Sequence, residues 1–391
     1  MHPVQKLATL GQSVWLDFLD HRLVASGELD RLIHSEGIRG LTSNPTIFAK
    51  AITSSEDYDD LIDAATPNES DASVFERLCV RDVTLACDAF RPVYEATGGA
   101  DGFVSIEVPP SAAHDALGTI DAAHRLWSEV ARPNVMVKIP GTREGLLAIE
   151  RCVGDGINVN VTLLFSVERY EHVARAYVRA LERRAGEGLS LDRIASVASF
   201  FVSRVDTKID VVARGYDLGQ AAIRNARLAY ETYGRVFANG TWTRLATFGA
   251  RPQRVLWAST STKNPAYGDL HYVDALVAPN TVDTMTRDTL DALLDHGDPE
   301  VRIADDLDRA RSLAADLERA GVDYARAMEE LEDEGVRKFA ASYDEALARI
   351  AEKRAAPPEP DIAPEAGPKR TEFGDRASAR AATHRELKQI P

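Results

Sequence analysis

Short β-like runs alternate with helical stretches along most of this chain, and that alternation is the strongest constraint on its fold. Strands are expected near Ser13–Phe18, Gly40–Ser43, Phe103–Val108, Val135–Ile139, Ile157–Thr162, Ala195–Phe201, Arg254–Ala258 and Asp274–Val277. Amphipathic segments lie between them. Thr142–Val153 opens on Thr142 as an N-cap and stops at Gly154, and Ser166–Arg184 opens on Ser166. Strand–helix–strand order implies a parallel sheet, and eight strands are the number that closes a barrel. The expected fold class is therefore α/β, a (β/α)8 TIM barrel with additional helices. At 391 residues the chain is long for one domain, but barrels of this kind run long, and a 45% hydrophobic content fills a large core.

Residues 46–98 and 203–250 exceed a simple crossover and are expected to add helices. Arg302–Lys353 is charged and alanine-rich, with apolar residues at helical spacing, and is expected to lay that stripe across the barrel. The catalytic domain should span residues 1–355. From about Ala356 the composition changes: six of the eighteen prolines fall in residues 356–391, with few large apolar side chains. A Pro-rich disordered tail is expected there.

The net charge of −15 argues against a nucleic-acid partner, because phosphate backbones are bound by clustered basic residues. A small anionic substrate can still find a local basic pocket. Cys79, Cys87 and Cys152 form no CxxC pair or metal-spaced cluster, so buried reduced thiols and no metal are expected. The N-terminus lacks a signal-like segment and no stretch approaches membrane-spanning length, which points to a soluble cytoplasmic chain. Nothing in the sequence fixes an oligomeric state.

Lys138 sits inside Val135-Met136-Val137-Lys138-Ile139-Pro140, an apolar run that reads as a buried strand. Desolvation favours the neutral amine, and a neutral amine is a nucleophile toward carbonyls. Arginine cannot take that role, since its guanidinium stays protonated. The chain carries thirty-seven arginines and only nine lysines, so a lysine kept at this position hints at chemistry rather than generic charge.

The other strands are interrupted by polar residues near their ends, where a barrel gathers its catalytic groups. These are Asp17, Asn44, Glu107, Asn160 with Thr162, and Ser199. Each has an ordinary structural alternative. Asp17 could cap a following helix, Asn44-Pro45 could be a turn, Glu107 could be a solvated strand end, and Asn160 and Thr162 could satisfy backbone groups. One polar group per strand around a lysine is harder to explain that way.

These segments resemble transaldolase in its longer bacterial form. The matching runs are Val14-Trp15-Leu16-Asp17, Leu41-Thr42-Ser43-Asn44-Pro45-Thr46-Ile47-Phe48, Val135 through Thr142, Asn158 through Ser166, and Ala198 through Arg204. They cover roughly the first 280 residues in the family's order. The resemblance implies a cofactor-free Schiff-base enzyme acting on small sugar phosphates. Such an enzyme moves a dihydroxyacetone unit from sedoheptulose 7-phosphate to glyceraldehyde 3-phosphate, giving erythrose 4-phosphate and fructose 6-phosphate in the pentose phosphate pathway.

By position, the resemblance makes Lys138 the imine-forming amine. Glu107, with a water held by Thr162, becomes the proton shuttle for dehydration, and Asp17 the base for C3–C4 cleavage. Asn44 and Asn160 would hold hydroxyls of the retained unit, Ser199 would help to position it, and Arg204 would bind the phosphate. One departure follows β-strand seven, where the family's shorter members place a phosphate-binding arginine. Here the run is Ala258-Ser259-Thr260-Ser261-Thr262-Lys263-Asn264-Pro265. Ser259 is assigned by match, and Lys263 is offered as the substitute cation, with a solvated surface lysine as its plain alternative. Two other functions compete. A fructose 6-phosphate aldolase-like lyase shares the fold and lysine, but resembles a chain with tyrosine at Phe201 and glutamine at Glu107. A non-catalytic sugar-phosphate-binding barrel would have kept the whole constellation without using it.

Overall fold

The computed structural model describes residues 2–213 and 218–355. The expected tail, 356–391, lies outside the described residues. Eight parallel strands close into a barrel in sequential order: β1 (Gln12–Asp17), β2 (Gly40–Thr42), β3 (Phe103–Glu107), β4 (Val135–Pro140), β5 (Val159–Leu164), β6 (Ser196–Phe201), β7 (Arg254–Ala258) and β8 (Thr281–Met285). Helices follow most strands, as right-handed crossovers between parallel neighbours require. Among the described residues, no helix is long and apolar enough to cross a membrane.

Seven of the eight expected strands lie within two residues of their expected ends. The eighth does not. Asp274–Val277 was expected as a strand; instead a short helix covers His271–Ala275, and β8 is Thr281–Met285. Leu276 and Val277 are apolar because they are buried in the connection, where the Leu276 carbonyl accepts from Trp257 Nε1 at 2.9 Å. β8 is half polar, and its polar groups find partners: Thr281 Oγ1 donates to the Ala278 carbonyl, and Thr284 Oγ1 meets Thr42 Oγ1 at 2.8 Å. Hydrophobicity alone therefore selects the wrong run.

The helix expected to stop at Gly154 runs over Arg143–Asp155, and Gly156 ends it in the left-handed conformation. Thr142 caps it as expected, accepting from Gly145 N. Arg302–Lys353 is not one helix: it divides into Leu307–Arg311, Leu313–Arg319 and Tyr324–Ala355. Gly321, at φ 82°, makes the turn before the last of these.

The barrel core is filled by branched and aromatic side chains. A Cβ on Gly40 would sit 2.5 Å from the Trp15 ring, so glycine is what lets that indole lie against β2. Trp15 Nε1 in turn donates to Asp101 at 2.8 Å, which Arg254 also meets at 3.3 Å, tying the N-terminal ends of β1 and β7 to the loop before β3. The three cysteines are free and buried, and burial pushes each thiol up.

The 32-residue helix Tyr324–Ala355, about 48 Å long at the standard rise, crosses the C-terminal mouth of the barrel. Near its start, Tyr324 donates to Asn225 and Glu332 pairs with Arg169. Near its end, Ser342 meets Thr46 at 2.8 Å, Tyr343 packs edge-on to Phe75, and Lys353 donates to the Ser55 carbonyl. Between these anchors, Phe339 is buried over the barrel. The apolar stripe lies across the barrel as its periodicity suggested.

Candidate active site

Strand register decides which polar groups share a level. In the closed sheet Glu107 pairs with Lys138, and Lys138 with Asn160. On the opposite side of that layer, Asp17 pairs with Thr42. Three consecutive strands therefore deliver a carboxylate, an amine and an amide at one height.

The Lys138 side chain is 5% exposed, and its Nζ donates to the Ser43 carbonyl at 3.0 Å. Glu107 Oε2 lies 3.5 Å away, an ion-pair separation longer than a well-formed hydrogen bond. That oxygen has no hydrogen-bond partner. Burial pushes the Glu107 carboxyl up to about 7, against the opposing pull of Lys138, while Asp17 adds to the rise. A carboxyl poised there can both give and take a proton near neutrality. The Phe339 ring covers the amine from above, its centroid 5.9 Å from Nζ.

A cavity of about 170 Å³ opens beside Lys138 and is lined by Asp17, Asn44, Ser199, Phe201, Arg204, Ser259 and Lys263. Asp17 does not cap the following helix. That job belongs to Asp20, whose Oδ1 accepts from Leu23 N at 2.7 Å. Asp17 Oδ1 instead accepts from Thr42 Oγ1 at 2.7 Å, and Thr42 is held by Thr284. Asn44 does serve as an N-cap: its Oδ1 accepts from Ile47 N, so the helix Pro45–Ser54 starts at the cavity wall. Pro45 at the first helical position suits that start.

Three of the singled-out residues stand outside this lining. Asn160 is fully buried, donating to Ser105 Oγ at 2.9 Å and accepting from Ser199 Oγ at 2.7 Å. Thr162 Oγ1 is buried with no hydrogen-bond partner. It lies within a register shift of β5, between Val161 and Leu164, where Leu163 adopts φ 58°, a strained conformation for leucine. Glu107, with Ser43 and Asn44, borders a second void of about 30 Å³, enough for roughly one water.

At the far side of the main cavity the charge is positive. Arg204 lies in the first turn of the helix Ser203–Val212, its guanidinium 5.0 Å from the Phe201 ring centroid. Burial pushes Arg204 down, opposed by Asp17. Lys263 is pushed down by burial first, then by Arg204 and Lys338. Lys338, from the C-terminal helix, is pushed down first by Arg204. Ser259, at φ 59°, hydrogen-bonds Ser203 Oγ at 3.0 Å and holds the start of that helix against β7. Cations gathered at a helix N-terminus suit an anion.

Thr42, Thr284, Lys338 and Phe339 were not singled out from sequence. Thr42 lay inside the Leu41–Phe48 run, but the other three sit far from every recognised segment. Among the described residues, no group of three or more His, Cys, Asp or Glu is placed to hold a metal ion.

Residues 14–350 match the Transaldolase/Fructose-6-phosphate aldolase family. The chain is 44% identical over 366 residues to Transaldolase of Trichodesmium erythraeum, covering 89% of this chain and 96% of that one. It is 48% identical over 357 residues to Transaldolase 1 of Streptomyces avermitilis, covering 89% and 94%. Transaldolase of Thermobifida fusca is 46% identical over 367 residues, covering 90% and 99%.

Proposed function

The chain belongs to the transaldolase family and is an enzyme with transaldolase activity, and we propose that it works through a Schiff base on Lys138. The observation that carries this is a buried amine facing an open cavity, with one carboxyl 3.5 Å behind it and another, Asp17, in the cavity wall.

In this reading Lys138 Nζ attacks the ketone carbon of a sugar phosphate donor. Glu107 passes a proton to the carbinolamine hydroxyl, which leaves as water to give the iminium. Asp17 then takes the proton from the C4 hydroxyl as the C3–C4 bond breaks. The bond's electrons move into the iminium to form an enamine, and an aldehyde leaves. The enamine attacks an acceptor aldehyde, Asp17 returns its proton, and water releases the ketose. Thr162 is assigned the water that serves Glu107, which accounts for its unpartnered hydroxyl. Asn44 and Asn160 hold hydroxyls of the three-carbon unit, with Ser199 as the link to Asn160. Arg204, Ser259 and Lys263 receive the phosphate.

The donor is read as sedoheptulose 7-phosphate and the acceptor as glyceraldehyde 3-phosphate, which assigns the chain to the pentose phosphate pathway in the cytoplasm. All of this chemistry falls within residues 1–355. The lyase alternative is not favoured: Phe201 lines the cavity and has no proton to give to an enamine. The non-catalytic alternative is not favoured either, since it leaves the desolvation of Lys138 and Glu107 without a use.

The test is to incubate the protein with fructose 6-phosphate, reduce with borohydride, and map the adduct by mass spectrometry. Adduct on Lys138 supports the reading; adduct on another residue, or none, overturns it. Product formation that requires added erythrose 4-phosphate separates transfer from cleavage.

A further inference from the structure

We propose that Lys338, on the helix that crosses the barrel mouth, is a direct ligand of the substrate's terminal phosphate. This rests on the sugar-phosphate reading above and deepens it.

The chain uses only nine lysines, yet Lys138, Lys263 and Lys338 all line one cavity. The other lysines with described partners are neutralised: Lys6 by Asp298, Lys208 by Glu330 and Glu334, and Lys353 by Asp59. Lys338 differs. Glu334, four residues before it, is the ordinary helical partner for a lysine, but Glu334 is bonded to Lys208 Nζ at 2.8 Å. Lys338 lines the cavity together with Arg204 and Lys263, and the charges acting among these three are chiefly repulsive. Three like charges converging in a protein of net charge −15 cost stability until an anion enters.

The geometry also fits a phosphate monoester rather than a carboxylate. The three cations come from three separate elements: the helix after β6, the loop after β7, and the C-terminal helix. Three cations on one cavity match in number the three terminal oxygens of a phosphate monoester, where a carboxylate offers two. Lys338 thus adds a third cation to Arg204 and Lys263, at a site where the run after β7 carries a lysine and no arginine. Its neighbour Phe339 covers Lys138, so one helix carries both phosphate recognition and the roof over the amine.

The test uses the full chain with fructose 6-phosphate and with fructose as donors. In Lys338→Met, the preference in kcat/KM for the phosphorylated donor should fall about tenfold. The loss should appear mainly in KM, and Lys338→Arg should restore most of it. Inorganic phosphate should inhibit Lys338→Met more weakly than the parent. Arg204→Ala sets the scale for losing a phosphate ligand. An unchanged preference, or equal losses for both donors, overturns the role of Lys338. Borohydride labelling of the parent separates the two readings. Labelled Lys138 with an unchanged preference sinks this proposal alone, whereas an unlabelled parent sinks the imine reading and this one with it.

Discussion

A Cβ placed on Gly335 would lie 2.8 Å from Leu163 Cδ2, so the helix over the barrel mouth rests directly on the strained residue of β5. Phe339, one helical turn further on, covers Lys138. An alanine at 335 gains about 1 kcal/mol of helix propensity, which offsets part of an overpacking cost of about 1–3 kcal/mol. Valine loses that compensation and adds two methyl groups. Gly335→Val should lower Tm by several degrees and reduce transfer activity about tenfold or more. Thermal melts and steady-state kinetics check this, and an unchanged kcat would mean that the helix position does not matter to turnover.

Thr42 holds Asp17 with its side chain directed into the cavity. Asp17→Ala should slow C3–C4 cleavage by about 10²–10⁴, the usual range for loss of a positioned base, while imine formation persists. Borohydride trapping should therefore still label Lys138, and more strongly at steady state. Loss of the adduct with the fold intact would reassign Asp17 to imine formation.

The Glu107 carboxyl is pushed up to about 7 by burial. In the proposed mechanism it is a donor to the departing hydroxyl below that pH, and an acceptor above it. The rate of adduct formation should change slope near pH 7. Glu107→Gln should remove the inflection and slow the reaction by about 10²–10⁴. A time course of trapping between pH 5 and 9 measures both, and a surviving inflection would assign it to another group.

Asp283 on β8 is buried, accepts from Thr260 Oγ1 at 2.8 Å through one oxygen, and has no partner for the other. Burial pushes it up from the ordinary 3.8 to about 7. The folded chain thus holds a proton that the unfolded chain releases. Stability from this group is present in full below the unfolded value and is lost as pH rises to about 7. Asp283→Asn lacks that loss, while Glu107 titrates in both proteins. The variant's Tm relative to the parent should therefore rise between pH 5 and pH 8, by about 1–2 °C for each kcal/mol in a chain of this length. A pH-independent difference would show that Asp283 does not titrate in this range.

Much of this protein was legible before folding was considered. Seven strands read correctly because buried parallel strands are continuous apolar runs. Lys138, Asp17 and Arg204 were legible because each breaks or ends such a run with a residue whose desolvation needs a reason. β8 was not, since Thr281, Asp283 and Thr284 look like a loop until partners from β2, the loop after β7 and the preceding turn meet them. Asp17's partner was hidden for the same reason: Asp20, not Asp17, meets the local capping requirement, and only closure of the barrel brings Thr284 to Thr42. Lys338 and Phe339 read as ordinary positions on a charged helix.

The amino-acid order by itself determined the barrel and which of its strands carry a lysine or a carboxyl among apolar neighbours, because strand periodicity and desolvation are local properties. Tertiary structure alone decided that Glu107 would lie 3.5 Å from that lysine and that a helix from residue 324 onward would roof it. Those outcomes depend on sheet register and on packing between segments about two hundred residues apart, and no local pattern encodes either.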